Sequence, residues 1–384
     1  MPTVDNSLLR QLNERRVLDA LRNGGACSRA DITRQTGISA ATVSKVVATL
    51  LDAGVLEELD AESGGLGRPG KRLRLAVGGV QVLGATLGVR RSRVFAAGLD
   101  GRPDPDSRRE FDTPGTYPAI LEALGRRVRE LAGSRRTLGL GVAVPGLIDE
   151  QAGRVLLSPN LPATNGRQVS ADLADRTGLP TAAVQEARAL CLAERYFGAA
   201  RDLRDFVMID VGDGIGAGIV ADGRLLVGRN GVAGEFGHMI LQRGGPVCGC
   251  GRRGCLETLA GERVLTSAAS AAVGRAATMA DVAELLRKGE PRVAAALDEA
   301  LQWLAVAVGA LINGLNPEAV VLCGTLFTLG DQVLPRLEEL TRDAALPVSL
   351  EGCRLVVGQS EKDLGAVAAA IDQLLSARGP VLND

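Results

Sequence analysis

The sequence has almost no net charge: 44 Lys and Arg stand against 45 Asp and Glu in 384 residues, a formal −1. That excludes a global field as the means by which the chain would find nucleic acid or an anionic surface. Local distribution adds little, since residues 1–78 hold 11 basic against 9 acidic side chains and the rest 33 against 36. Long apolar runs are missing too. The longest, residues 303–312, falls well short of the roughly 20 residues that span a bilayer. The opening MPTVDNSLLRQLNERR lacks the apolar stretch of a secretory leader. A cytoplasmic protein with no membrane partner is expected. Histidine is nearly absent, with one in the chain, and the seven cysteines do not form a disulfide framework. Four of them, Cys27, Cys191, Cys323 and Cys353, lie singly in apolar surroundings and read as small buried hydrophobes. The remaining composition, 46% hydrophobic and 23% charged, is ordinary for a globular chain long enough for two or three domains.

What is present begins with a helical pattern. Leu8, Leu12, Leu18 and Leu21, with Leu9 and Val17 beside them, predict one helix with an apolar face that ends near Gly24-Gly25. Ser28 then reads as an N-cap with Asp31 in the capping-box position of a second helix, RADITRQT. Gly37 breaks it, as a tight turn between helices demands. Ser39 caps a third, AATVSKVVATLLDAG, in which Val43, Val46, Val47, Leu50 and Leu51 are spaced to face inward. Ala41, Thr42, Ser44 and Lys45 lie on the opposite side near its start, where short polar residues suit base edges in a major groove. Strands near 55–59 and 72–76 flank a Gly-rich loop with Arg68 and Lys71, the layout of a wing that follows phosphates. A helical dimerisation domain with an idle hairpin is the competing reading. The ordered occurrence of helix, helix–Gly–helix and basic hairpin favours a DNA-binding winged helix contacting DNA through Ser39, Ala41, Thr42, Ser44, Lys45, Arg68 and Lys71.

From residue 80 strand and helix patterns alternate: strands near 82–87 and 94–99, a helix near 117–132, a strand near 138–144, and a second set from 206 that closes with a helix near 363–377. This is an α/β body of two halves, with a ligand cleft expected between them. The stretch 207–257 is the most specific. Its glycine-rich turn suits a phosphate approach and an ordinary hairpin equally. His238, Cys248, Cys250 and Cys255 follow within eighteen residues. Three thiolates and an imidazole complete a tetrahedral zinc site with no open position, so the zinc is expected to be structural. Glu235 and Glu257 bracket it, either as ligand contacts or as solvated charges.

The phrases SRADITRQTGISAATVSKVVATLLDAGVLEE and GLGRPGKRLRLA, with Gly67-Arg68-Pro69 in the wing, and AGEFGH followed by CxCxxxxCLE, resemble the ROK family of repressors and sugar kinases. The resemblance covers nearly the whole chain. It implies a winged helix-turn-helix over 1–78 and an actin-like, ribonuclease H-like sugar-kinase body over 79–384. That body would bind effector and form dimers or tetramers, with lobes near 79–190 and 191–384. It also implies that Asn160, Glu235, His238 and Glu257 touch sugar hydroxyls, and that His238 helps hold zinc.

The phosphate side departs from the family's kinases. Gln185-Glu186 replaces the Asn-Asp pair that carries the catalytic base, and a longer carboxylate misplaces it. The first phosphate loop has Thr86 for its Asp, and Val89, Arg90 and Arg91 for its glycines and threonine. The second has Asp213, repulsive to phosphate, for Thr, and the third reads Cys323-Gly324-Thr325 in place of a glycine run. ATP turnover is therefore not expected, and Gln185 and Glu186 become hydroxyl ligands. The expected function is a sugar-responsive repressor of double-stranded operator DNA. The alternatives are a sugar kinase with an appended DNA-binding domain and a regulator that answers to a protein partner.

Overall fold

The computed structural model describes residues 6–59, 71–76, 78–133, 135–150 and 152–375. Its contacts divide the chain into two compact units, 1–196 with 361–384, and 197–360.

The first unit opens with α1 (Asn6–Gly24), β1 (Cys27–Ser28), α2 (Arg29–Thr36), α3 (Ala40–Asp52), β2 (Leu56–Leu59) and β3 (Arg72–Leu75). Local chemistry sets the joints. Ser28 and Asp31 close a reciprocal capping box at the start of α2, and Gly37, at φ 68°, ends it in the left-handed region. The three strands form a small antiparallel sheet in the order β1-β3-β2. Val17, Leu18, Leu21, Ile32, Val43, Val46, Val47 and Leu50 fill the core between the helices. The first turns of α1 depart from the expected apolar face. Leu9 and Leu12 are exposed, and burial begins further along, at Glu14 and Val17.

The body sheet of this unit is built from β4 (Val80–Thr86), β5 (Arg91–Ala97), β6 (Arg109–Asp112), β7 (Arg136–Val144) and β10 (Thr181–Gln185). The intervening elements are α4 (Tyr117–Ala132), β8 (Leu147–Asp149), β9 (Arg154–Leu157) and α5 (Val169–Thr177); α6 (Glu186–Phe197) follows. The order is β10-β7-β4-β5-β6, with β4–β5–β6 antiparallel and β4–β7–β10 parallel. Helix α4 docks through Ile120, Leu124, Val128 and Leu131, an i, i+4 stripe whose members each contribute about 1.5–3 kcal/mol by burial.

The second unit repeats the plan. It contains β11 (Phe206–Val211), β12 (Ile215–Ala221), β13 (Arg224–Leu225), α7 (Leu256–Ala260), α8 (Glu262–Val273), α9 (Met279–Arg287), α10 (Pro291–Leu315), β14 (Ala319–Cys323), α11 (Val333–Ala344), α12 (Pro347–Leu350) and β15 (Arg354–Val357). Its sheet order is β13-β12-β11-β14-β15, again three antiparallel strands followed by two parallel. Helix α10 is long and apolar enough to cross a membrane by length and composition, yet 56% of its most apolar window is buried. It packs on α7, α8 and α11, which accounts for its apolarity as a core helix.

The closing helix α13 (Leu364–Leu375) corrects the expected lobe limit of 191–384, because it returns to the first unit and packs on β4, β7 and β10. Gly141 on β7 makes this possible: a Cβ there would lie 1.8 Å from Ala366 O. The winged helix likewise shares a unit with the first lobe, and Arg136 donates to Ala53 O across that seam. Of the four isolated cysteines, Cys27, Cys191 and Cys323 are buried and Cys353 is half-buried.

Candidate functional sites

On the winged helix, Ser39 is occupied locally. Its Oγ accepts Thr42 N–H at 3.3 Å and lies 2.9 Å from Thr42 Oγ1, so these two hydroxyls fix the start of α3. Ala41, Ser44 and Lys45 are exposed and Thr42 is half-buried. Lys71 contacts Glu58, which also accepts from Arg29 at 2.9 Å. Those two cations hold the Glu58 carboxyl below its ordinary value. Arg68, with Gly67 and Pro69, lies outside the described residues. Arg34, in the last turn of α2 and 77% exposed, is a further cation the sequence pattern did not single out; its neighbour is Asp31.

In the second unit the loop between β13 and α7 gathers the His/Cys set. The ligand atoms of His238, Cys248, Cys250 and Cys255 all lie within 4.8 Å of one another. Cys250 Sγ is 3.7 Å from Cys255 Sγ, and Cys248 Sγ is 3.6 Å from His238 Nδ1. The turn depends on Gly254, at φ 73°, where a Cβ would sit 1.7 Å from Gln242 O. Burial pushes the Cys248 and Cys255 thiols up, while the Arg252 backbone amide lowers that of exposed Cys250. A divalent cation among these thiols would displace their protons, and the donor set fits zinc.

The two carboxylates flank the imidazole. Glu257 Oε1 is 3.7 Å from His238 Nδ1 and accepts from Cys248 Sγ at 2.8 Å, whereas Glu235 Oε2 is 3.8 Å from Nε2. With Nδ1 turned to the thiols, the other ring nitrogen remains for Glu235 or a ligand, so the ring links cluster and carboxylates.

Asn160, Gln185 and Glu186 belong to the first unit, and Glu235, His238 and Glu257 to the second. Asn160 is exposed in the loop after β9. Gln185 ends β10 and caps α6, its Oε1 accepting Arg188 N–H at 2.9 Å; Glu186 is exposed in the first turn. Below them is a pair that the sequence reading missed. Arg188, 1% exposed, sets its Nε 3.2 Å from Glu150 Oε1. Glu150 also accepts the Gln185 backbone N–H, and burial outweighs Arg188 in pushing its carboxyl up. No local pattern in the sequence announces it.

At the positions where the resemblance expects phosphate loops, the chain makes its own ion pairs and hydrogen bonds. Asp363 receives Arg93 at 3.2 Å, Arg108 at 3.0 Å and the Thr86 hydroxyl at 3.4 Å, which fastens the β4–β5 hairpin. Val89, at its tip, is 51% exposed and fills no interior space. In the second unit Asp213 pairs with Arg263 at 3.1 Å, and the Thr325 hydroxyl donates to Glu262.

A helix-turn-helix with a strand hairpin, carried by a body of two like sheets with a His/Cys loop on the second, defines a DNA-binding module fused to a sugar-kinase-type body. Residues 82–372 match the ROK family model and residues 10–65 that of the MarR family. The chain belongs to the ROK family. It is 28% identical over 355 residues to the N-acetylglucosamine repressor of Escherichia coli O157:H7, covering 88% of this chain and 86% of that one. The glucokinase of Thermotoga maritima is 29% identical over 308 residues, 76% of this chain and 96% of that enzyme. A solved ROK family transcriptional regulator, a homolog of the Escherichia coli MLC protein, superposes with a TM-score of 0.84 at 27% identity, covering 96% of this chain and 97% of that one.

Proposed function

We propose that the protein is a transcriptional repressor that binds operator DNA through its winged helix and alters that grip when a sugar occupies its body. One observation carries the reading. The start of α3 is capped and presents Ala41, Ser44 and Lys45, while the ROK body sets Glu235 and Glu257 on either side of His238. Carboxylates and amides hydrogen-bond neighbouring hydroxyls and reject ligands that lack them. Asn160, Gln185 and Glu186 are further hydroxyl ligands in this account. One zinc ion held by His238, Cys248, Cys250 and Cys255 orients the imidazole and closes the loop that carries Glu257. The protein acts as a dimer or tetramer on a roughly palindromic site, since paired recognition helices read half-sites about one turn apart.

The kinase reading draws on the glucokinase relative. Against it stand Asp213, a carboxylate where phosphate would lie, and a first hairpin tied to Asp363. A coupled assay with ATP and glucose, xylose or N-acetylglucosamine decides between them: turnover at about 1–100 per second is the kinase outcome. DNA binding is tested by deleting residues 1–78, with loss of a shifted operator band expected. Retention of binding would move the DNA-contacting surface to the body.

A further inference from the structure

Helix α6 joins two regions that function must connect. Gln185 caps its start and Glu186 opens its first turn, while its last turn holds Tyr196, about 15 Å further along the axis. Ten of its twelve residues are buried, so the helix is packed against its neighbours along nearly its whole length. Tyr196 is 2% exposed. Its ring lies 4.3 Å from the Arg22 guanidinium of α1, inside the range of a cation–π contact, and its hydroxyl donates to Asp372 of α13 at 2.7 Å. Arg195 approaches the same carboxylate at 3.6 Å, and Arg22 pairs with Asp19 at 3.0 Å. Helix α1 in turn packs on α2 and α3, the DNA-reading pair. Burial and Asp372 push the Tyr196 hydroxyl well above its ordinary value, so it remains a donor.

The seam around this joint is apolar apart from Arg22. A cavity lies between Leu18, Val55 and Leu75 of the winged helix and Leu99, Leu138 and Ile371 of the body. A directional polar contact beside an apolar seam sets the angle between two modules; uniform apolar packing would not.

We propose that Tyr196 is the positioning residue that couples the effector end of α6 to the DNA-binding helices, through Arg22 on one side and Asp372 on the other. The effector part rests on the function proposed above, in which Gln185 and Glu186 take sugar hydroxyls. Displacement of those side chains moves α6, and Tyr196 carries the displacement to α1.

Two measurements on the full chain test it. Tyr196→Phe keeps the ring and removes the bond to Asp372; Arg22→Met keeps an apolar stem and removes the cation, which Arg22→Lys restores. Amide hydrogen exchange without any ligand should show residues 188–192, in the half of α6 away from Tyr196, exchanging several-fold faster in the first two variants and as wild type in Arg22→Lys. A change confined to residues next to the substitutions would overturn the proposal. In the second measurement, operator binding is titrated with N-acetylglucosamine, xylose and glucose as probes. Wild type should respond to one of them by roughly 5- to 150-fold. Tyr196→Phe and Arg22→Met should bind that sugar and operator as wild type while the response falls toward unity, and a full response in both would also overturn the coupling. If exchange behaves as described but no sugar moves wild-type binding, the joint stands and the effector reading fails.

Discussion

The two sheets of the body share one strand order, yet the hairpins at equivalent places carry different chemistry. In the first sheet Thr86 and Arg93 fasten the β4–β5 hairpin to Asp363, whose side chain is 12% exposed and also takes Arg108 from just before β6. In the second the β11–β12 hairpin keeps a glycine on each side of Asp213, and the Asp213–Arg263 pair is 73% and 79% exposed. One hairpin is held by a structural clasp; the other carries an exposed ion pair that costs little to keep. Among the described residues, a His/Cys cluster occurs in the second unit, in the loop following β13. Two sheets of one strand order can thus keep the same plan while their loops differ, an ion-pair clasp in one and a His/Cys cluster flanked by carboxylates in the other.

The comparison breaks most visibly at the metal. Chelation, or Cys255→Ala, should lower stability on the order of 3–5 kcal/mol, a fall of roughly 10 °C in melting temperature for a body of this size. Elemental analysis of the untreated protein should give one zinc per chain, and its absence would remove zinc from the account. Next in size is the effect on signalling. Glu257→Gln and Glu235→Gln should retain operator binding and lose the sugar response, read as an operator titration with and without sugar. A response that survives in both places the effector elsewhere.

The clasp and its counterpart sharpen the contrast further. Asp363→Asn leaves Arg93 and Arg108 without their shared anion and should cost about 1–3 kcal/mol in denaturant unfolding. Asp213→Ala disturbs only an exposed pair and should change stability by less than about 0.5 kcal/mol, with no gain of ATP turnover. Equal effects at the two positions would erase the distinction between clasp and idle charge.

Legibility in the sequence followed distance along the chain. The capping box of Ser28 and Asp31, the turn at Gly37 and the grouping of His238 with Cys248, Cys250 and Cys255 span at most a few turns, so residue spacing exposes them. The clasp joins Arg93 to Asp363 across 270 residues, and no local pattern announces it. The return of α13 depends on Gly141 meeting Ala366, a match visible only once both elements are placed. Leu9 and Leu12 misled for a related reason: periodicity identifies an apolar face but not where along a helix its partner begins. Glu150 and Arg188 were hidden because an ion pair beneath a loop leaves charged residues that look like ordinary surface.

The central claim is that one chain reads DNA with its first domain and a sugar with its body. It is tested most directly by selecting a duplex from a random pool with the full-length protein and measuring its dissociation constant by fluorescence anisotropy. The measurement is made at fixed salt, alone and with millimolar N-acetylglucosamine, xylose or glucose. The account predicts sequence-specific binding that Lys45→Ala weakens by about 1–3 kcal/mol, and a shift of roughly 5- to 150-fold with at least one sugar. Failure to select any preferred duplex, or a constant that no sugar changes while Lys45→Ala binds as wild type, would contradict it.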